Sequence, residues 1–292
     1  MKLNKKSPYF VLCAALLVIL AILFIFPLYW IVTGSVKEKS EILLKAGEAV
    51  KWLPHTVTSA NYDKLMGNQV TWNLFGSSIR LPAALKWLYN SVFISVMAML
   101  LTCVTASLAG YVLAKKQFYG KAFIFSLFVC AMALPKQVIL IPLVTLAKTL
   151  GLAESMWSVI LPVVGWPFGV FLMKQFSETI PTSLLEAAKI DGAGELRTFW
   201  DVVVPIIKPG IGALAIFTFI NAWNEYPLQL VMLHKTEVKT IALGIAGLQA
   251  EMSTDYGLIM AGAALGAIPI IGVFLAFQKY FTQGVTMGAV KG

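Results

Sequence analysis

The side chains best suited to chemistry in this 292-residue chain gather in two places. The first is a polar knot in an otherwise apolar stretch: Asn221, Trp223, Asn224 and Glu225, matched earlier in the chain by Lys136 and Gln137 between Pro135 and Pro142. Hydroxyl-rich ligands are held by amides and carboxylates, with aromatic rings against their apolar faces, so these residues suit the lining of a polyol pathway. They suit a structural knot as well. A carboxylate deep in lipid must face protein, water or the interface, and a helix loosened by prolines needs partners for its carbonyls.

The second place is residues 181–209, PTSLLEAAKIDGAGELRTFWDVVVPIIKP, the longest polar interval between apolar runs in the second half. Ser183 followed three residues later by Glu186 forms a capping-box pattern, which predicts a helix starting just after Pro181. Asp191-Gly192 predicts a turn in which glycine takes a positive φ without a Cβ clash. A second amphipathic helix is expected to gather Leu196, Phe199, Trp200 and Val203 on one side, before Pro205 begins the next apolar run. Ala187 and Ala188 leave one face of the first helix without bulk, as a helix docked closely in a partner's groove requires. For Glu186 alone, local capping competes with a contact to a partner.

Other chemistry is missing. No G-x-x-x-x-G-K-[ST] loop occurs, so the chain has no phosphate cradle of its own. Cys13, Cys103 and Cys130 lie within apolar runs without paired metal spacing, and His55 and His234 are isolated, so no metal centre is expected. With no nucleophile–base pair and no carboxylate pair in an apolar setting, an enzyme has no site to use.

Composition names the solvent. At 59% hydrophobic and 13% charged the chain reads as an integral membrane protein. The net charge of +9 sits mostly at the ends of apolar runs and is not interleaved with aromatics, which points to membrane orientation and away from nucleic acid. Residues 1–8 are short and basic, and 9–33 form a first span. That run exceeds the ~7–15 residues of a signal-peptide core and has no small-residue cleavage site after it. A polar interval at 34–86 is too long for a simple connector. Further apolar runs at 87–114, 122–146, 156–173, 206–233 and 256–281 make six spans, leaving a tail at 282–292. Basic residues concentrate in segments that share a side with the N-terminus, so both termini and the 177–205 loop are expected in the cytoplasm. Gly262 and Gly266 form a small-residue seam in the sixth span, suited to intrachain packing or a subunit contact.

The order of motifs carries a resemblance. Glu186-Ala187-Ala188, Gly192 and Val202-Val203-Val204-Pro205 resemble the EAA loop of bacterial ABC-importer permeases, with Val202 and Val204 where Ile and Leu are more usual. Leu88-Tyr89-Asn90-Ser91, the 135–142 run, Gly151-Leu152, Asp191-Gly192-Ala193, Ala222-Trp223-Asn224-Glu225 and the 284–292 tail are similar, in that order, to carbohydrate-type permeases related to the smaller permease of the maltose transporter.

The resemblance implies an all-α, six-span fold of the type I permease kind, with the permease core over 87–281, and a non-catalytic subunit working by alternating access. It implies as partners a second homologous permease, two copies of an ATPase carrying ATP and Mg, an extracytoplasmic solute-binding protein and membrane lipid, with no cofactor in this chain. It assigns Ser183, Glu186, Ala187, Ala188, Asp191, Gly192, Ala193 and Pro205 to ATPase coupling, with Glu186 facing a basic groove. Asn90, Lys136, Gln137, Asn221, Trp223, Asn224 and Glu225 are placed along the substrate pathway. Residues 236–255 resemble a region inserted toward the binding protein, and the tail resembles extensions reaching toward the ATPase dimer. A permease for a glycerol phosphodiester or an ion-coupled secondary transporter is the alternative; the second would need inverted repeats, which do not stand out.

Overall fold

The computed structural model describes residues 8–44, 47–74, 77–251 and 255–289. Among the described residues the regular structure is helical apart from one hairpin. Helix α1 (Pro8–Ser35) is followed by two short helices, α2 (Lys39–Ile42) and α3 (Ala60–Gly67), and by strands β1 (Gln69–Leu74) and β2 (Ser77–Pro82). The strands pair antiparallel in a register that sets Val70 opposite Leu81 and Trp72 opposite Ile79. The hairpin stands beside the expected all-α architecture without changing its class: alternating Val70 and Trp72 fit a half-buried strand, and Val70 is buried. Helix α4 (Ala83–Lys115) starts four residues earlier than the apolar run suggested, because the Lys86 ammonium sits 4.1 Å over the Trp72 ring and Lys86 is buried.

Helices α5 (Lys121–Met132) and α6 (Leu140–Thr149) are separated by a 3-10 turn at Lys136–Ile139 and bent by 99°, so the third span is broken. The fourth divides into α7 (Trp157–Val164) and α8 (Pro167–Glu178). Next come α9 (Thr182–Ile190), α10 (Glu195–Thr198), a π turn at Phe199–Val203, α11 (Val204–Trp223) and α12 (Tyr226–Met232). Helices α13 (Ile241–Glu251) and α14 (Tyr256–Ala289) complete the order. Among the described residues five helices are long and apolar enough to cross a membrane, and the bent pair makes a sixth. Helix α14 continues through the first part of the 282–292 tail as far as Ala289; residues 290–292 lie outside the described residues.

Two compact units emerge. One joins the chain up to Lys86 with Gly244–Ile268. Here the Asn61 amide donates to the carbonyls of Ser35 and Lys37, both at 2.9 Å, and Lys64 pairs with Asp255 at 2.9 Å. Gly262 packs against Ile245, so this half of the small-residue seam serves contact within the chain.

The other unit joins Trp87–Leu243 with the residues from Pro269 onward. It has two apolar clusters. One is built on Ile94, Val159, Ile160, Ala222, Leu228 and Leu233, the other on Tyr111, Met173, Phe176, Phe199, Val203 and Ile207. Glycine allows the second to close: a Cβ on Gly110 would lie 2.6 Å from the Lys174 nitrogen, and one on Gly210 would lie 2.5 Å from the Phe176 ring. Gly110→Val drives a side chain into backbone, which cannot move aside as a side-chain tip can. Overpacking of about 1–3 kcal/mol is the scale involved. The detergent melting temperature of Gly110→Val should fall by several degrees, whereas Gly272→Ala, with open space around it, should leave it unchanged.

Candidate functional site

Helix α9 stands between two turns. Thr179 closes the end of α8 by donating to the Phe176 carbonyl at 2.7 Å, and Pro181 is the N-cap of α9. The capping box is therefore corrected. Ser183 lies inside the first turn, no side chain bonds an end of the helix, and proline's fixed φ at the N-cap leaves no capping position for the serine. Glu186 is exposed and makes no hydrogen bond or ion pair among the described residues. The local task that competed for its carboxylate is absent.

At the other end, Asp191 is the C-cap and Gly192 takes φ +76°. The Gly192 amide donates to Lys189 at 3.1 Å and the Ala193 amide to Ala188 at 2.9 Å, the paired bonds of a left-handed helix stop. Ala187 is exposed but Ala188 is buried, so the two alanines do not share one free face; successive helical residues are about 100° apart. Likewise Phe199 and Val203 are buried while Leu196 and Trp200 are exposed. The four apolar residues form two stripes, each at i,i+4 spacing, and only one faces the core. Pro205 does not start a new element. It is the second residue of α11, and the helix reaches it through the π turn, whose looser bonding makes room for a ring that would otherwise strike the carbonyl four residues back. The exposed surface of this element carries Glu186 together with Leu184, Ile190, Leu196 and Trp200.

Three helix breaks meet at a cavity of about 460 Å³. Each is followed by a proline in the next helix's first turn: Pro142 in α6, Pro167 in α8 and Pro227 in α12. Lys136, at the first break, donates to Asn221 Oδ1 and Glu225 Oε2, both at 2.8 Å, and its Nζ lies 6.0 Å from the centre of the Trp166 ring. The Glu225 side chain is 12% exposed and that of Lys136 48%, so the carboxylate is the more dependent partner. Asn221, Glu225, Lys136 and Trp166 all line the cavity, and the rest of its wall is mostly apolar. Trp166 escaped sequence reading because nothing in an apolar run distinguishes a lining tryptophan from a packed one.

The remaining pathway candidates lie elsewhere. Trp223 is buried and stacks on Phe219 with centroids 5.6 Å apart. Asn224 donates its amide to the Ile220 carbonyl at 2.9 Å, and Gln229 does the same for Ala222 at 3.1 Å, so both satisfy the frayed end of α11. Asn90 is fully buried and holds the carbonyls of Glu237 and Lys239, each at 2.8 Å. Gln137 is exposed on the 3-10 turn, away from the cavity lining.

A second unforeseen cluster ties two loops together. Glu154, at φ +56°, accepts from the amides of His234 and Lys235 and lies 2.7 Å from the His234 ring. Burial raises the Glu154 pKa, but the amide and imidazole bonds outweigh it and hold the carboxyl below its ordinary value.

A multi-pass helical membrane protein with a mostly apolar cavity that carries a few polar groups at its helix breaks, and a structured loop between two spans, is the class these features define. Residues 106–287 match the family of the binding-protein-dependent transport system inner membrane component. The chain belongs to that family. It is 33% identical over 286 residues, 98% of this chain and 97% of the relative, to the arabinooligosaccharides transport system permease protein AraQ of Bacillus subtilis (strain 168). It is 31% identical to the sulfoquinovosyl glycerol transport system permease protein SmoH of Agrobacterium fabrum, covering 92% of this chain and 89% of the relative. The fold is shared with a chain of a bacterial ABC transporter involved in the import of the acidic polysaccharide alginate, with TM-score 0.77 and 20% identity over 96% of this chain and 99% of that one.

Two outcomes follow. Lys136→Ala strands the Glu225 carboxylate and should destabilise more than Lys136→Ala with Glu225→Ala; a double-mutant cycle on detergent melting should give a coupling of about 1–3 kcal/mol. For Glu154, a folded pKa below the unfolded one gives stabilisation that is complete above the unfolded value and lost as pH falls through the folded value. Melting followed below about pH 4 should show a fall in the native protein that is shallower in Glu154→Ala.

Proposed function

We propose that this chain is one of two different permease subunits in a bacterial ATP-driven importer of a sugar or oligosaccharide. The observation that carries the reading is α9. It is a short helix closed at its C-terminal end by its own backbone, with a carboxylate that has no local partner and exposed leucine, isoleucine and tryptophan around it. Exposed apolar groups beside an unengaged charge mark a docking surface. The expected occupant is an ATPase subunit with a basic groove for Glu186. Ser183, Ala187, Asp191, Ala193 and Pro205 shape that element, and Ala188 seats it against the rest of the chain.

The chain itself is read as non-catalytic, with ATP and Mg held by two copies of the partner ATPase and solute delivered by an extracytoplasmic binding protein. The loops nearest α9 are rich in lysine, which supports a cytoplasmic position for it and for both termini. Alternating access follows if the ATPase binds inward-open and outward-open forms with different free energies, and α9 is where that difference enters.

Relatives named for arabinooligosaccharides and for sulfoquinovosyl glycerol support a carbohydrate. The cavity supports one too: Trp166 offers a face for a sugar ring, and Asn221 and Glu225 offer acceptors for hydroxyls. The ammonium of Lys136 is already neutralised by Glu225, which disfavours a glycerol phosphodiester.

The test is a pull-down of the tagged chain from gently solubilised native membranes. A P-loop ATPase and a second six-span permease should co-purify with the wild type. Both should be retained in Glu225→Ala, and the ATPase should be lost at least tenfold in Glu186→Lys. Gly192→Asn, whose side chain accepts positive φ, should keep the ATPase, and Gly192→Val should not, since φ +76° costs a β-branched residue about 1–2 kcal/mol. Full ATPase recovery in both Glu186→Lys and Gly192→Val would sink the docking assignment.

A further inference from the structure

The loop between α4 and α5 grips the docking element on both sides. Lys115, the last residue of α4, donates its ammonium to the carbonyl of Glu178 at 3.0 Å and to that of Ile180 at 2.6 Å. Those carbonyls lie at the end of α8 and just before α9, where a helix leaves its last acceptors unpaired and attracts a cation. The next residue, Lys116, pairs with Glu195 at 2.5 Å. Glu195 opens α10, just beyond the turn that ends α9. Two consecutive ammonium groups therefore hold the chain immediately before and immediately after the nine residues of α9.

The grip is itself anchored. Lys121 reaches back to the Lys116 carbonyl at 2.9 Å, which fixes the backbone that carries both lysines. One turn earlier on α4, Gly110 lets the helix touch the backbone of α8, and the Tyr111 ring packs on Phe199 with centroids 5.7 Å apart. Apolar contact thus joins α4 to α8 and to the π turn. It reaches α9 through Leu185, packed against the same cluster, and through the buried Ala188, while most of the helix is exposed. The polar contacts flanking α9 are those of Lys115 and Lys116. An apolar side chain at either position could pack but could not bond a carbonyl or a carboxylate.

We infer that Lys115 and Lys116 are positioning residues for coupling, which make α9 and the end of α4 move as one body when a partner displaces α9. This rests on the reading of α9 as the ATPase dock. The contribution of the exposed Lys116–Glu195 ion pair to stability is small, so the role is geometric: that pair and the Lys115 bonds to two carbonyls fix where α9 sits relative to the second span, and displacement reaches that span without being absorbed in the turns on either side.

The experiment uses the complete importer purified with its ATPase and binding protein. Cys13, Cys103 and Cys130 are replaced by Ala, and spin labels are placed through Tyr119→Cys and Ile190→Cys, both at highly exposed positions. Pulsed electron resonance then measures the separation of the labels without nucleotide and with ATP and vanadate. In the otherwise native chain the distance distribution should be the same in both states. In Lys115→Ala with Lys116→Ala it should shift or broaden on trapping, while ATPase recovery and hydrolysis stay within about twofold. Lys116→Glu alone should broaden it, and Lys116→Glu with Glu195→Lys should restore the narrow distribution, which a merely structural loss would not do. A native distribution that changes on trapping, or a double-alanine variant that stays narrow in both states, would overturn the inference and leave the dock standing. Failure of the native chain to bring down any ATPase would overturn the dock, and this inference with it.

Discussion

A helix that stops inside a membrane leaves carbonyls that lipid cannot bond, and much of this structure answers that constraint. Helix α11 ends at Trp223, and the acceptors it frees are taken by Asn224 and Gln229, whose amides reach Ile220 and Ala222. Gln229 is held in turn by the Thr240 hydroxyl at 2.6 Å. The loop after α12 is fixed from the far side by Asn90, by the Trp87 indole bonded to Thr236 at 3.0 Å, and by Ser91 bonded to the Ile241 amide at 2.9 Å. One broken span thus recruits polar groups from three segments. With these bonds in place the chain can keep a break after α11, and the cavity lies beside that break.

The same constraint explains which parts of the site were legible in the sequence. Spans and loops were, because apolar runs interrupted by lysine and proline have few other readings, and Asp191-Gly192 marked the turn that ends α9. The polar knot was legible only as a set. Asn221, Asn224 and Glu225 sit within five residues, yet Asn221 and Glu225 face the cavity while Asn224 bonds its own helix. Composition cannot make that division, since it depends on which side of a helix end each residue falls. Trp223 and Trp166 changed places for a related reason. One stacks on Phe219 and the other lines the cavity, and a tryptophan in an apolar run carries no mark of either role.

The docking loop went astray where local pattern competed with backbone geometry. Ser183 and Glu186 match a capping box in spacing, but Pro181 already holds the N-cap, so the pattern has no position to act from. Pro205 marks the start of the next apolar run in the sequence, yet the helix continues through it. The π turn at Phe199–Val203 removes the bond that the proline would have broken. A consequence is continuity: from Glu195 to Trp223 the chain is an unbroken helical rod, 29 residues long, leading from the exposed loop to the edge of the cavity.

That rod sets how the two halves of the larger unit divide their work. Near α9 the contacts are close and glycine-mediated, with Gly110 against α8 and Gly210 against Phe176, so this part transmits displacement with little give. Around the cavity the helices α5, α6, α7, α8, α11 and α12 meet at their breaks, held by side-chain bonds and by a pair, Lys136 with Glu225, that links two of those breaks. Hydrogen-bonded junctions between short helices rearrange at lower cost than interdigitated cores, because each bond can be exchanged for one to water or ligand once the cavity opens. In the proposed mechanism a push at α9 travels through the stiff region and is released at the breaks, where the residues that line the cavity exchange their bonds. Lys136, Asn221 and Glu225 are bonded to one another where two of those breaks meet, so opening the cavity there requires the exchange of those bonds.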